Sequence, residues 1–127
     1  MEQVGKIDVL ADVPANQVRL SFIGCINGSE FKRYLSDVEK ALKSLRSGYA
    51  LLTDFTDLEE MTIDSAPAIK RTMEMMKSTG IGLVVRVIPD PSKDLGVSIL
   101  SLFHLPRSLK IVTTETRDEA EAILRQA

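Results

Sequence analysis

Polarity alternates from residue 4 to 11, where Lys6 and Asp8 interrupt Ile7 and Val9, and alternates again from residue 18 to 24. A period of two gives each face of a strand its own character. The intervening Val13-Pro14-Ala15-Asn16 is made of turn formers, so the two segments are expected to pair as a hairpin. The period then lengthens. Phe31, Tyr34, Leu35, Val38, Ala41, Leu42 and Leu45 recur at helical spacing, with Lys32, Arg33, Ser36, Glu39, Lys40 and Lys43 opposite. Asn27-Gly28-Ser29-Glu30 offers a capping box at the start of this helix, and Gly48 stops it. Residues 49–55 and 81–88 are short apolar runs between turn residues, as in buried strands, and residues 109–113 are read as a further strand. A second helix runs to Thr79 from a cap at Asp64 or Ser65, with Pro67 tolerated in its first turn and Gly80 ending it. A further helix is expected over 94–103. A last one opens at Thr116-Arg117-Asp118-Glu119, with Ala120, Ile123 and Leu124 inward.

The order β-β-α-β-α-β-α-β-α predicts an α/β fold, a mostly parallel sheet with an N-terminal hairpin strand and helices covering it. The 127 residues suit one domain with one core, spanning 1–127. Phe31, Leu35, Val38, Leu42, Leu51, Ile69, Met73, Val85 and Ile123 are its expected buried residues.

Sixteen Lys and Arg against eighteen Asp and Glu leave a net charge of -2, with both signs interspersed. A nucleic-acid binder needs a basic stripe or stacking aromatics, and this chain has no Trp and 5% aromatics. One cysteine, Cys25, and one histidine, His104, exclude an internal disulfide and a Cys/His zinc site. No run approaches the length of a membrane span, and Lys6, Asp8 and Asp12 break any signal-peptide core, so a cytoplasmic location is expected.

Ligands of parallel sheets sit beyond the carboxyl ends of the strands, which here means residues 24–29, 54–65 and 89–92. Asp54, Asp57, Glu59, Glu60 and Asp64 crowd the middle segment with no base among them. Clustered carboxylates can hold a hard cation, but a solvated acidic loop accounts for them more simply, and no metal or other cofactor is expected. A receiver domain would need an acidic pair after an early strand and a lysine after the last. The chain offers Gly24-Cys25-Ile26 and Thr113-Thr114-Glu115 instead. As a nucleophile Cys25 would want a histidine base, and His104 lies between apolar Phe103 and Leu105 near a predicted helix end. No phosphate-binding glycine pattern opens a helix. Arg86, inside an apolar strand, must either meet a carboxylate, with Asp54 the first candidate for an ion pair, or snorkel past the sheet end. On the second helix, Ile69, Met73 and Met76 form the central apolar stripe, flanked by Ala68, Thr72 and Met75. Met75 at the margin reads first as core filler and second as part of a partner surface.

The apolar strand ending Leu51-Leu52-Thr53-Asp54-Phe55-Thr56, followed by Met61-Thr62-Ile63-Asp64-Ser65-Ala66 and a helix, resembles the STAS domains, the fold of bacterial anti-sigma-factor antagonists. The resemblance covers nearly the whole chain. It implies a non-enzymatic regulatory module that switches protein partners, an anti-sigma factor or kinase-like regulator, and it leaves a homodimer open. The implied docking residues are Thr56, Asp57, Asp64, Ser65, Ala66, Ile69 and Met75. Antagonists of this family are phosphorylated on the second serine of a pair, where this chain has Ala66 and then Pro67. The usual phosphoswitch is therefore expected to be missing; Ser65 is left as a substitute acceptor, although as a first-turn helix residue its structural reading comes first. A small-molecule or lipid sensor of the same fold is the alternative function.

Overall fold

The computed structural model describes residues 5–90 and 109–126. The helix expected over 94–103, and His104, lie outside the described residues. Strands β1 (Lys6–Asp12) and β2 (Gln17–Ile26) form the hairpin and pair antiparallel. Helix α1 (Gly28–Lys43) follows, then β3 (Ala50–Asp54), β4 (Leu58–Met61), a 3-10 turn (Ile63–Ser65), α2 (Ala66–Thr79), β5 (Leu83–Val87), β6 (Lys110–Thr114) and α3 (Arg117–Gln126). The sheet order is β1-β2-β3-β5-β6, and every pairing after the hairpin is parallel. This is the expected α/β architecture.

The unexpected strand is β4, which lies in the acidic loop and pairs with β2. Strand β2 is ten residues long and outruns β3. Its first half pairs with β3 from Gln17 to Ser21, and its second half then takes β4 as a neighbour. The changeover is marked by a shift of register between Gly24 and Cys25, where Gly24 takes a φ of 74° and its amide donates to the Asp57 carbonyl at 3.0 Å. In Leu58-Glu59-Glu60-Met61 the two ends are buried and the adjacent glutamates exposed, so neither strand nor helix periodicity is legible.

Two cores flank the sheet. Helices α1 and α2 cover the face built from Ile7, Val18, Leu20, Phe22, Leu51 and Val84. Helix α3 covers the other with Ala120 and Leu124 against Ala50, Leu52, Val85 and Val87. Of the expected core residues, Leu35, Ile69 and Ile123 are half-buried and the rest are buried. The buried arc of α2 is rotated from the expected stripe, with Ala68, Thr72, Met73 and Met75 inward. Thr72 is tolerated there because its hydroxyl donates to the Ala68 carbonyl at 2.9 Å.

Along one side of α3 runs a chain of charges. Arg19 donates to Glu121 at 3.0 and 2.8 Å, Arg117 donates to Glu121 at 3.0 Å, and Arg117 also reaches Asp54 at 3.0 Å. The Arg19 bonds, then those of Arg117, hold the Glu121 carboxyl down at about 2 against desolvation, which opposes them. A carboxyl depressed from 4.5 stabilises the fold above its unfolded value and loses that contribution as pH falls toward about 2. Replacing Glu121 by Gln is expected to cost about 1 kcal/mol at neutral pH. Denaturant titrations of both proteins should converge as pH falls through that window, and a difference independent of pH would contradict the account.

Candidate functional site

The carboxyl ends of β2, β3 and β4 feed the loops expected to matter. At the end of β2, Asn27 caps α1 by accepting from the Glu30 amide at 2.9 Å. The reciprocal arm of the expected capping box is not formed. Glu30 turns one carboxylate oxygen inward beside Gly5, where it is buried without a partner among the described residues. The second cap of α1 comes from elsewhere. Asp64 accepts from the Gly28 amide at 3.2 Å and from the Thr62 hydroxyl. Asp64, an expected cap of α2, instead ties the start of α1 to the turn that precedes α2. The two backbones meet so closely that a Cβ on Gly28 would overlap the Asp64 carbonyl oxygen.

Ser65, the other expected cap, stands at the N-cap position of α2 but makes no capping bond. Its backbone is already helical, at φ -75° and ψ -13°, because the 3-10 turn runs straight into α2. Its own amide donates to the Thr62 carbonyl at 3.0 Å, and the Thr62 amide in turn donates to Ile26 at 3.0 Å. The residue is 0% exposed, and its hydroxyl has no partner among the described residues. Ser65 is thus a packed part of the junction.

What the junction displays is Ile63, which is 75% exposed at the outer corner of the 3-10 turn. Thr56, Asp57, Glu59, Glu60 and Asp64 are also exposed, whereas Ala66 and Ile69 are half-buried. Met75 is buried as part of the larger core, as its first reading expects, and lines the groove between α1 and α2 beside Leu42. The segment is fixed from below. Phe55 stacks on Phe22 with ring centroids 4.9 Å apart, and its amide donates to Val87 at 2.9 Å. Thr56 donates to Asp54 from both amide and hydroxyl, at 2.9 and 2.5 Å.

Asp54 pairs with Arg117 at 3.0 Å and not with Arg86. The register explains why. Thr53 is the cross-strand neighbour of Arg86, and Asp54 that of Val87, so successive side chains place Asp54 on the α3 face and Arg86 on the opposite one. Arg86 is buried and donates to Thr113 from Nε and Nη2 at 3.2 and 3.1 Å. Among the described residues no three metal-ligating side chains converge. Cys25 points at Glu59 on β4, with its thiol donating to the carboxylate at 3.5 Å.

Ile63 is the residue that sequence reasoning passes over. Leu58, Met61 and Ile63 read as three equivalent apolar positions, but the first two are buried at the ends of β4 while Ile63 lies past the strand in the 3-10 turn, where it is exposed.

No known family's sequence profile matches the chain, and no curated protein does. Solved structures match over almost all of it. An uncharacterized protein of the DUF3478 family with a SpoIIAA-like fold, from Shewanella loihica PV-4, superposes with a TM-score of 0.69 at 12% identity, covering 98% of each chain. An anti-sigma-factor antagonist (STAS) domain protein from Planctomyces limnophilus gives 0.64 at 16% identity, covering 96% of this chain and 99% of that one. The Bacillus cell fate determinant SpoIIAA in its phosphorylated form gives 0.63 at 13% identity, covering 94% and 100%. Identities this low speak for architecture alone, and that architecture is the STAS fold of the SpoIIAA-like proteins.

Proposed function

We propose that this chain is a non-enzymatic regulatory module that docks a protein partner on the surface made by β4, the 3-10 turn and the first turn of α2. The observation that carries the reading is the exposure of Ile63 on a turn held rigidly between two helix starts. An isolated exposed aliphatic side chain is ordinary. This one is different in setting, because Asp57, Glu59, Glu60 and Asp64, all exposed, lie within six residues of it in the chain. A partner of matching chemistry offers a small apolar pocket with a basic rim, where the rim speeds encounter and the pocket supplies affinity. Thr56, Ala66 and Ile69 border the patch.

The docking is constitutive in this reading. Ala66 has no hydroxyl to modify, and Ser65 is sealed beneath the turn, so a kinase would have to unfold the start of α2 to reach it. Solved structures of this fold include anti-sigma-factor antagonists, and binding of a protein partner is carried over from them as part of the proposal.

Incubation with extract of the native cells and labelled ATP tests both parts. The wild-type chain should remain unlabelled and Ala66→Ser should become labelled, since docking would bring the new hydroxyl to the bound kinase. Adding Ile63→Asp to Ala66→Ser should remove that label by removing the anchor. Labelling of the wild type that disappears in Ser65→Ala would overturn the constitutive reading, and an Ala66→Ser label indifferent to Ile63→Asp would overturn the docking surface.

A further inference from the structure

Strand β1 ends the sheet, and among the described residues its outer edge faces no other strand. Such an edge presents a row of unpaired amides and carbonyls to any strand that fits. On the face turned away from α1, β1 carries Lys6, Asp8, Leu10 and Asp12, and Leu10 is 63% exposed. On the face toward α1, Val9 and Ala11 line an open groove of about 470 Å³ with Tyr34 and Ala41. Charges on an edge strand commonly serve to block pairing. Here their order does something more specific.

A second copy of β1 brought alongside by a two-fold axis normal to the sheet must run antiparallel and keep the same faces together, so residues pair only in alternate registers. The register that uses all seven residues places Val9 opposite Val9, Ile7 opposite Ala11, Asp8 opposite Leu10 and Lys6 opposite Asp12. Both ends of the seam then carry opposite charges, and the two exposed Leu10 side chains become diagonal neighbours. Sliding by one step in one direction sets Asp8 against Asp8. Sliding the other way sets Asp8 against Asp12 at both ends. Charge therefore selects the full-length register and penalises its neighbours. In that register, residues of like parity meet, so outward amides face outward carbonyls.

From this complementarity we infer that β1 is a self-pairing edge, and that two copies of the chain join through it into one continuous sheet, with the groove beside α1 closed by the partner strand. The surface is separate from the junction at Ile63 and stands independently of the function proposed for it.

Sedimentation of the 127-residue chain at low salt over a range of concentrations tests the inference, with circular dichroism confirming that each variant folds. The wild type should form a reversible dimer that weakens as salt is raised. Lys6→Glu and Asp12→Lys should each weaken it roughly tenfold, because either change sets like charges opposite each other at both ends. Mixing the two variants should recover association. The carboxylate introduced at position 6 of one copy then faces the ammonium introduced at position 12 of the other, and the native Asp12 of the first faces the native Lys6 of the second. A wild type that stays monomeric at every concentration overturns the inference. So does a dimer that both single variants leave unchanged, or two weakened variants that show no recovery when mixed.

Discussion

Truncation of Leu42 to alanine is expected to lower the free energy of unfolding by about 2 to 5 kcal/mol. Leu42 is 1% exposed in the last turns of α1 and belongs to the larger core, together with Val38, Tyr49, Leu51 and Met75. Removing it forfeits the transfer energy of its side chain and leaves a void that α1 cannot collapse into freely. Helix α1 is held at one end by the Asn27 and Asp64 caps and at the other by Ser44, whose hydroxyl donates to the Ala41 carbonyl at 2.6 Å. Denaturant midpoints should fall with little change in slope. An unchanged midpoint would remove Leu42 from the centre of the core.

Gly28→Ala should cost about 1 to 3 kcal/mol, the range for forcing extra volume into a packed site. The atom in the way is the Asp64 carbonyl oxygen, which belongs to the backbone and cannot rotate aside as a side chain would. Either α1 or the 3-10 turn must move, and the bond from the Gly28 amide to Asp64 is strained or lost with it. Asp64→Ala is the control, because it removes the cap and the bond from the Thr62 hydroxyl without adding volume, and should cost about 1 kcal/mol. If Gly28→Ala proves no worse than Asp64→Ala, the two segments are less closely bound than described. Gly28→Ala should also weaken partner binding, since it displaces the turn that presents Ile63.

The hairpin and α1 are legible in the sequence because each carries a clean period, and the buried strands β3 and β5 because each is a short apolar run between turn residues. The apolar positions of α1 admit one face and Asn27 caps its start, but the helix ends at Lys43 with Ser44 as its C-cap, short of the Gly48 expected to stop it, and Leu45 lies beyond it. Helix α2 is legible in extent but not in rotation. Its apolar residues spread over a wide arc, and the tie-breaker is Thr72, whose buried hydroxyl bond no periodicity reveals. Strand β4 is invisible for a different reason. It exists because β2 is longer than β3 and leaves a vacant edge, which is a property of two distant segments. The same holds for the site. Asp64 is recognisable as a cap, but its recipient is α1, 36 residues away in sequence. Arg86 and Asp54 match by charge, although the register sets them on opposite faces. These differences share one origin, in that local pattern names the donors and acceptors while tertiary pairing chooses among them.

The docking claim is tested most directly by a photo-crosslinking amino acid placed at position 63 of the otherwise native chain, expressed in its own cells and irradiated there. Position 111, also an exposed isoleucine but on β6, serves as the comparison. The account predicts a discrete protein adduct from position 63 that is absent from 111 and that disappears when Asp57, Glu59 and Glu60 are changed together to lysine, because the basic rim of the partner then meets like charge. An adduct pattern identical at the two positions, or an adduct at 63 that survives the charge reversal, would contradict it.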